Sequence, residues 1–214
     1  NNYKNVLFAL KSSDGGIQFA KRGTAMLHKE TVETSTLQLL KSLQSEPLLA
    51  PFNLVGGTSL ALRLGHRKSV DLDLFSKEDF DLQEVKELLV NKYDLKVGYE
   101  KGKTLKGFIG KAMVDLIRYD YPHIQPIQTE EGIRLESLPD IVAMKLSSIC
   151  DNGSRIKDFI DIAYLSNLYS FSEMLQFYTQ KFPSSNPIVP TKSLVYFGDI
   201  NFDEDIVMMR GDFD

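Results

Sequence analysis

The sequence predicts an α+β protein, in which a mixed β-sheet flanked by helices is followed by a helical C-terminal lobe. In the front half, short apolar strand patterns alternate with helical patterns. In the back half, three helical patterns follow one another. The chain has 214 residues, 43% of them hydrophobic, which is enough to build a core and unlike a disordered chain.

The elements follow from the spacing of apolar residues and from the residues that end each run. Helical spacing predicts helices over 29–43, 58–64, 82–90, 138–150, 155–169 and 171–181. Alternating or short apolar runs predict strands over 52–55, 70–75, 95–99, 105–109 and 112–117. Three prolines predict a loop over 182–190.

We divide the chain into an N-terminal extension (1–25), a sheet-containing domain (26–136) and a helical C-terminal lobe with an acidic tail (137–214). The single cysteine, Cys150, cannot form an internal disulfide, which favours a reducing compartment. The sequence contains no signal peptide pattern and no apolar run near the roughly 20 residues of a membrane span. We therefore expect a cytoplasmic protein without a membrane partner.

Net charge is unevenly distributed along the chain. The whole chain carries −4, but six acids against Arg210 alone give the segment from Asp199 onward a charge of −5. The preceding residues carry +1. The mild overall acidity therefore does not exclude a polyanionic partner.

The run Gly56-Gly57-Thr58-Ser59 lies between a predicted strand and a predicted helix. Glycines allow close approach of a ligand to the backbone, and a helix N-terminus offers free N–H groups to phosphate. The hydroxyls of Thr58 and Ser59 add donors. The alternative is an ordinary strand-to-helix turn with Thr58 or Ser59 as the N-cap.

Three aspartates form a candidate metal site. Asp71 and Asp73 are two apart on one strand, so their side chains share a face and repel unless a cation lies between them. Asp115 interrupts an apolar strand and is a candidate third ligand. Such oxygen-rich sets suit Mg²⁺ or Mn²⁺. The alternatives are a solvated edge strand for the pair and a surface position for Asp115.

Two charged residues stand out in the helical half. Lys145 falls within the apolar stripe of its helix, so it either extends its ammonium to the surface or meets an anion. Asp158 lies on a helix that is apolar nearly all round. Its alternative role is a structural salt bridge to Arg155 or Lys157.

In order and spacing, these elements resemble the nucleotidyltransferase superfamily of the DNA polymerase beta type. The finer pattern looks like the AbiEii/AbiGii toxin-type nucleotidyltransferases and covers roughly residues 28–170. It consists of the glycine run, then Gly65-His66-Arg67-Lys68-Ser69-Val70-Asp71-Leu72-Asp73, then Asp140 and Lys145, and finally Arg155-Ile156-Lys157-Asp158 with Asp161.

This resemblance implies a nucleotidyltransferase fold and a two-metal transfer of a nucleoside monophosphate from a nucleoside triphosphate. Asp71, Asp73 and Asp115 would hold two Mg²⁺ or Mn²⁺ ions. The nucleotide would be bound by Gly56, Gly57, Thr58, Ser59, Arg67 and Lys145. Lys145 and Asp158 match family positions needed for activity, so the implied catalytic residues are Asp71, Asp73, Asp115, Lys145 and Asp158.

The same resemblance implies a toxin of a toxin–antitoxin or phage-defence (abortive infection) system, with RNA such as a tRNA end as acceptor and a cognate antitoxin as partner. Two alternatives remain open. One is an enzyme of this fold that modifies a small molecule or a protein. The other is a non-catalytic nucleotide-binding module, which the presence of all three aspartates and Lys145 argues against.

Overall fold

The structure is a computed structural model that describes residues 26–210. The N-terminal extension predicted over 1–25 lies outside the described residues. Within the described part of the chain, no helix is both long enough and apolar enough to cross a membrane.

A seven-stranded mixed sheet forms the centre of the front half, with the strand order β3-β4-β5-β2-β1-β7-β6. The central pair β2 and β5 is parallel, whereas β3, β4 and β5 form an antiparallel meander at one edge. The strands are β1 (Asn53–Leu54), β2 (Leu72–Ser76), β3 (Lys96–Lys101), β4 (Thr104–Ile109), β5 (Ala112–Arg118), β6 (Gln128–Glu130) and β7 (Ile133–Leu135).

Seven α-helices flank the sheet or build the C-terminal lobe of the described chain. They are α1 (Thr34–Ser45), α2 (Gly56–Leu64), α3 (Leu82–Tyr93), α4 (Leu138–Asp151), α5 (Ile156–Leu165), α6 (Phe171–Lys181) and α7 (Ile188–Ser193). Side-chain caps fix three helix starts: Asp81 before α3, Ser137 before α4, and Ser170, which forms a capping box with Glu173, before α6.

Two hydrophobic clusters support the molecule. One fills the space beneath the sheet and includes Leu72 and Leu74, and the other joins α2 to the C-terminal helices. Along β2, burial alternates so that Leu72 and Leu74 are buried while Asp73 faces the opposite side, as period-two geometry requires. The α+β prediction, with a mixed sheet followed by a helical lobe, is confirmed.

The structure differs from the sequence prediction mainly in short elements. The hairpin β6–β7 was not predicted, because strands of three residues show too little alternation to be recognised. Part of the predicted loop 182–190 enters α7, whose Pro190 lies in the first turn, where its missing N–H costs nothing. The helix predicted from residue 29 begins only at Thr34, after a 3₁₀ turn over Lys29–Thr31.

Candidate active site

A cleft of about 690 Å³ runs between one face of the sheet and the helical lobe. Of the residues singled out from the sequence, it is lined by Gly56, Gly57, Arg67, Asp71, Asp73, Asp115, Lys145 and Asp158. The fold thus brings together residues that are up to about a hundred positions apart.

Two of the aspartates are direct neighbours across the sheet. Asp73 on β2 lies opposite Asp115 on the parallel strand β5. Burial and the negative charge of Asp115 together raise the pKa of Asp73 to about 6. Asp71 precedes β2 and lines the same cleft. All three carboxylates therefore line one cleft, with Asp73 and Asp115 as direct neighbours.

Only one of the two carboxylate oxygens of Asp115 has a hydrogen-bond partner among the described residues. Its Oδ2 accepts a hydrogen bond from Lys106, which lies opposite it on β4. Its Oδ1 is buried and has no hydrogen-bond partner among the described residues. A buried, unpaired carboxylate oxygen is costly, and a cation would remove that cost. The donor set of neighbouring carboxylates with an unpaired oxygen fits Mg²⁺ or Mn²⁺.

The glycine run packs directly against these acids. Gly56 has a φ of +68° and begins α2, with Val55 as an N-cap that makes no side-chain hydrogen bond. A Cβ atom at Gly56 would collide with Asp73 Oδ2, and one at Gly57 would collide with the Arg67 guanidinium. Glycine is therefore required here by backbone conformation and by close contact, and the N-terminus of α2 stays open to the cleft.

Thr58 and Ser59 are both fully buried and are not among the residues that line the cleft. The Thr58 hydroxyl donates to the backbone carbonyl of Asp71, and its oxygen lies 2.8 Å from the Ser69 hydroxyl, from which it can accept. Ser59 Oγ has no hydrogen-bond partner among the described residues. Thr58 thus holds the segment that precedes β2, and neither residue serves as the helix N-cap.

Lys145 does not extend to the surface. Its side chain is 9% exposed, and Nζ lies 2.6 Å from Asp158 Oδ1 and 2.7 Å from Asp161 Oδ2. Burial opposes the charged form, but the negative charges of Asp161 and Asp158 outweigh it and raise the pKa of Lys145. The ammonium therefore stays charged at the edge of the cleft.

Asp161 is the centre of a cationic cluster that the sequence did not single out as functional. Arg67 donates to it through Nε at 2.7 Å and Nη2 at 2.9 Å, and His66 Nε2 lies 2.8 Å from it. Burial favours the neutral acid, but Lys145 and Arg67 hold the pKa of Asp161 well below its usual range. The sequence contained one indication of this cluster. Because α5 is apolar nearly all round, its acidic side chains are expected to be buried and paired.

Asp158 is neutralised as well. Arg155 donates to its Oδ2 through Nε at 2.9 Å, and Ser148 Oγ donates to the same atom at 3.0 Å. Asp158 thus forms the structural salt bridge to Arg155, which was one of the two partners expected from the sequence, and a second one to Lys145. Lys157 instead pairs with Glu204, at 3.0 Å.

The acidic segment near the C-terminus forms part of the cleft wall. Residues 204–207 line the cleft. The backbone N–H of Lys68 donates to the Val207 carbonyl at 2.8 Å, and that of Met209 donates to the His66 carbonyl at 2.8 Å. The sequence offered no periodic signal for this contact, since the segment forms only isolated bridges.

Comparisons with known proteins identify the family of this chain. Residues 38–124 and 107–213 match the family model described as nucleotidyl transferase AbiEii toxin, type IV TA system. An uncharacterized protein of Aquifex aeolicus (strain VF5) is 29% identical over 168 residues, covering 76% of this chain and 81% of that protein.

Among solved structures, a putative nucleotidyltransferase from Helicobacter pylori has a TM-score of 0.46 at 16% identity, covering 76% of this chain and 92% of the other. MenT4, a nucleotidyltransferase toxin from Mycobacterium tuberculosis H37Rv, has a TM-score of 0.47 at 16% identity, covering 81% and 68%. With the family model matching most of the chain, this protein belongs to the AbiEii nucleotidyltransferase toxin family of type IV toxin–antitoxin systems and is a nucleotidyltransferase.

Proposed function

We propose that the protein transfers a nucleoside monophosphate from a nucleoside triphosphate to an RNA acceptor, as the toxin of a toxin–antitoxin pair. The observation that carries the proposal is the Asp73–Asp115 pair, whose unpaired buried oxygen lies in the cleft region beside a glycine-rich helix start. We place the transferase domain at 26–136 and the helical lobe at 137–214.

Asp71, Asp73 and Asp115 are the residues that would hold divalent cations, Mg²⁺ or Mn²⁺. Bound there, such ions supply charge neutralisation for the triphosphate and a lower pKa for the attacking hydroxyl. The acceptor hydroxyl oxygen forms a bond to the α-phosphorus and gives up its proton to solvent. The bond between the α-phosphorus and the oxygen that bridges it to the β-phosphorus breaks, and that oxygen leaves as part of pyrophosphate.

Residues of this chain bind and orient the triphosphate. The first N–H groups of α2, at Gly56 and Gly57, have no partner within their helix and suit phosphate oxygens. Lys145 uses two of its three N–H donors on Asp158 and Asp161, which leaves one for a phosphate. Asp158 acts by holding Lys145 in place, and Arg67 adds positive charge at the cleft.

Incubation with Mg²⁺, labelled nucleoside triphosphates and total RNA tests the proposal. We expect label in RNA, none after chelation of Mg²⁺, and none with Asp73→Ala. Label in protein or in a small molecule would instead support the other acceptor classes, and unchanged transfer by Asp73→Ala would refute the site.

Metal binding has a separate readout. Titration of the protein with Mn²⁺, followed by the loss of the free-ion electron paramagnetic resonance signal, should show binding that Asp115→Asn weakens. The exposed Asp120, which pairs with Arg118, provides a matched control as Asp120→Asn.

The toxin role is tested by expressing the protein in the cytoplasm of a bacterium. We expect growth arrest, which co-expression of a cognate antitoxin should relieve.

A further inference from the structure

The sheet face that carries the candidate catalytic carboxylates continues beyond the cleft, onto the edge hairpin β3–β4. Residues directly opposite each other on paired strands share a face. Asp73 lies opposite Asp115, Asp115 opposite Lys106, and Lys106 opposite Tyr99. A single row of side chains therefore leads from the acids outward to the sheet edge.

Two parallel rows accompany this one. Met113 lies opposite Phe108, which lies opposite Lys96, while Thr104 lies opposite Lys101. The β3 register contains a bulge between Val97 and Tyr99, and this keeps Lys96 and Tyr99 on the same face. The outer part of the face thus presents Lys96, Tyr99, Lys101, Lys106 and Phe108, which we call the hairpin platform.

Within the described residues 26–210, the platform is exposed to solvent. All six residues of β3 are exposed, Phe108 is 50% exposed and Tyr99 is 48% exposed. Exposed apolar groups gathered on one face indicate an interaction surface. Both rings lie on the face that carries the carboxylates.

The platform carries positive charge because its lysines lie on one face of the hairpin and the acidic residue of β3 lies on the other. Glu100, an acid of β3, lies opposite buried Leu105 on the other face and pairs there with Lys86 of α3. Lys101 makes no ion pair with any described residue, and Lys96 pairs only with the highly exposed Asp94. Lysines interleaved with exposed aromatic rings suit a polyanion with flat, stacking groups.

We propose that the hairpin platform binds the single-stranded end of the RNA acceptor, with bases stacked on Phe108 and Tyr99 and phosphates near Lys96 and Lys101. This inference rests on the proposed function and names where its acceptor docks. Bases have a π-face that stacks on aromatic side chains, and lysines follow the phosphate backbone. The extension 1–25 carries +3 and is poorly suited to this basic face.

The test compares Phe108→Ala and Lys101→Ala with matched controls on other surfaces, Phe171→Ala on α6 and Lys41→Ala on α1. Phe171 is 43% exposed, close to Phe108, and Lys41 is an exposed lysine. Binding of a fluorescent single-stranded RNA of about 12 nucleotides is measured by anisotropy across a salt series. Thermal unfolding verifies that each variant folds.

Phe108→Ala should weaken RNA binding by about tenfold. Lys101→Ala should reduce the slope of log affinity against log salt by about 0.7. Both should raise the KM for RNA and leave the KM for the nucleotide unchanged, while the controls behave as wild type. The inference is overturned if both platform variants bind RNA with wild-type affinity. It is also overturned if the wild-type protein is a dimer that Phe108→Ala dissociates, because the platform would then contact a second copy of the chain.

Failure of this inference is distinguishable from failure of the proposed function. If wild-type protein labels RNA and the platform variants do so with unchanged KM, the acceptor docks elsewhere and the transferase proposal stands. If wild-type protein binds RNA through the platform but transfers nothing to it, the platform stands and the proposed reaction fails. Asp73→Asn should bind RNA normally while its transfer rate falls on the order of a thousandfold.

Discussion

Two pairs of neighbouring aspartates in this molecule have opposite electrostatic surroundings. Of Asp73 and Asp115, on the sheet, only Asp115 pairs with a lysine within the described chain, Lys106, and its buried Oδ1 has no partner there. Asp158 and Asp161, on α5, are bound by Lys145 and two arginines. The pKa of Asp73 is raised to about 6, whereas those of Asp158 and Asp161 are lowered.

The difference separates two uses of the same side chain. The aspartates of the α5 pair are already paired with cations, and these ion pairs hold Lys145 and Arg67 at the cleft. The sheet pair lacks sufficient positive charge within the described chain and is therefore suited to receive it from outside. The sheet pair is therefore the candidate for binding a ligand, and the α5 pair is the candidate for positioning other groups.

The largest expected effect is on catalysis. Asp73→Asn removes the charge that divalent cations require at the sheet pair, so transfer should fall on the order of a thousandfold, since bound metal contributes several kcal/mol to such reactions. Initial rates of nucleotide transfer measure it. Asp120→Asn should retain wild-type rates, and an Asp73→Asn enzyme within tenfold of wild type would contradict the assignment.

Asp161→Asn should lower the free energy of unfolding, whereas the expected effect of Asp73→Asn is on the transfer rate. The substitution leaves Lys145 with Asp158 alone and leaves buried Arg67 without an ion-pair partner among the described residues, and removing one partner of a buried pair costs about 3–5 kcal/mol. Urea denaturation followed by circular dichroism gives the free energy of unfolding. A loss below about 1 kcal/mol would show that the α5 pair is not the buried ionic centre described above.

The two pairs should also respond oppositely to pH in metal-free protein. The folded-state pKa of Asp73 lies above its unfolded value, so its contribution to stability falls as pH rises through about 6. Asp158 and Asp161 have lowered values, so their contribution persists until pH falls below the usual carboxyl range.

The wild type should therefore lose on the order of 1–3 kcal/mol of unfolding free energy between pH 4.5 and pH 7 relative to Asp73→Asn. The difference between their denaturation curves isolates this group from the others that titrate. Parallel curves for the two proteins would mean that Asp73 is not destabilised in its charged form.

The smallest effect concerns the acidic segment. Lys157 and Glu204 are about 30% exposed and form a pair of the kind that contributes less than about 1 kcal/mol. Lys157→Ala should accordingly change stability by less than that amount in the same urea titration, in clear contrast to Asp161→Asn. A larger loss would mean that this contact supports the cleft wall.

Local patterns predicted most of this architecture and a large part of the candidate site. Alternation along β2 placed Leu72 and Leu74 in the core and Asp73 on the other face, and Lys145 was recognised by its position within an apolar stripe. The short hairpin β6–β7 and the role of Thr58 were not predicted. Three-residue strands carry little period, and a hydroxyl partner far along the chain has no local signature.

The sequence by itself determined which side chains share a face, because covalent geometry fixes the periods of strands and helices. It also placed Gly56 and Gly57 between a strand and a helix, whereas their close contact with Asp73 and Arg67 depends on the fold. Only the tertiary structure decided that β5 pairs with β2, which sets Asp115 beside Asp73, and that Asp161 gathers His66, Arg67 and Lys145. Such pairings depend on burying whole faces against one another, a property of the complete fold and not of any segment.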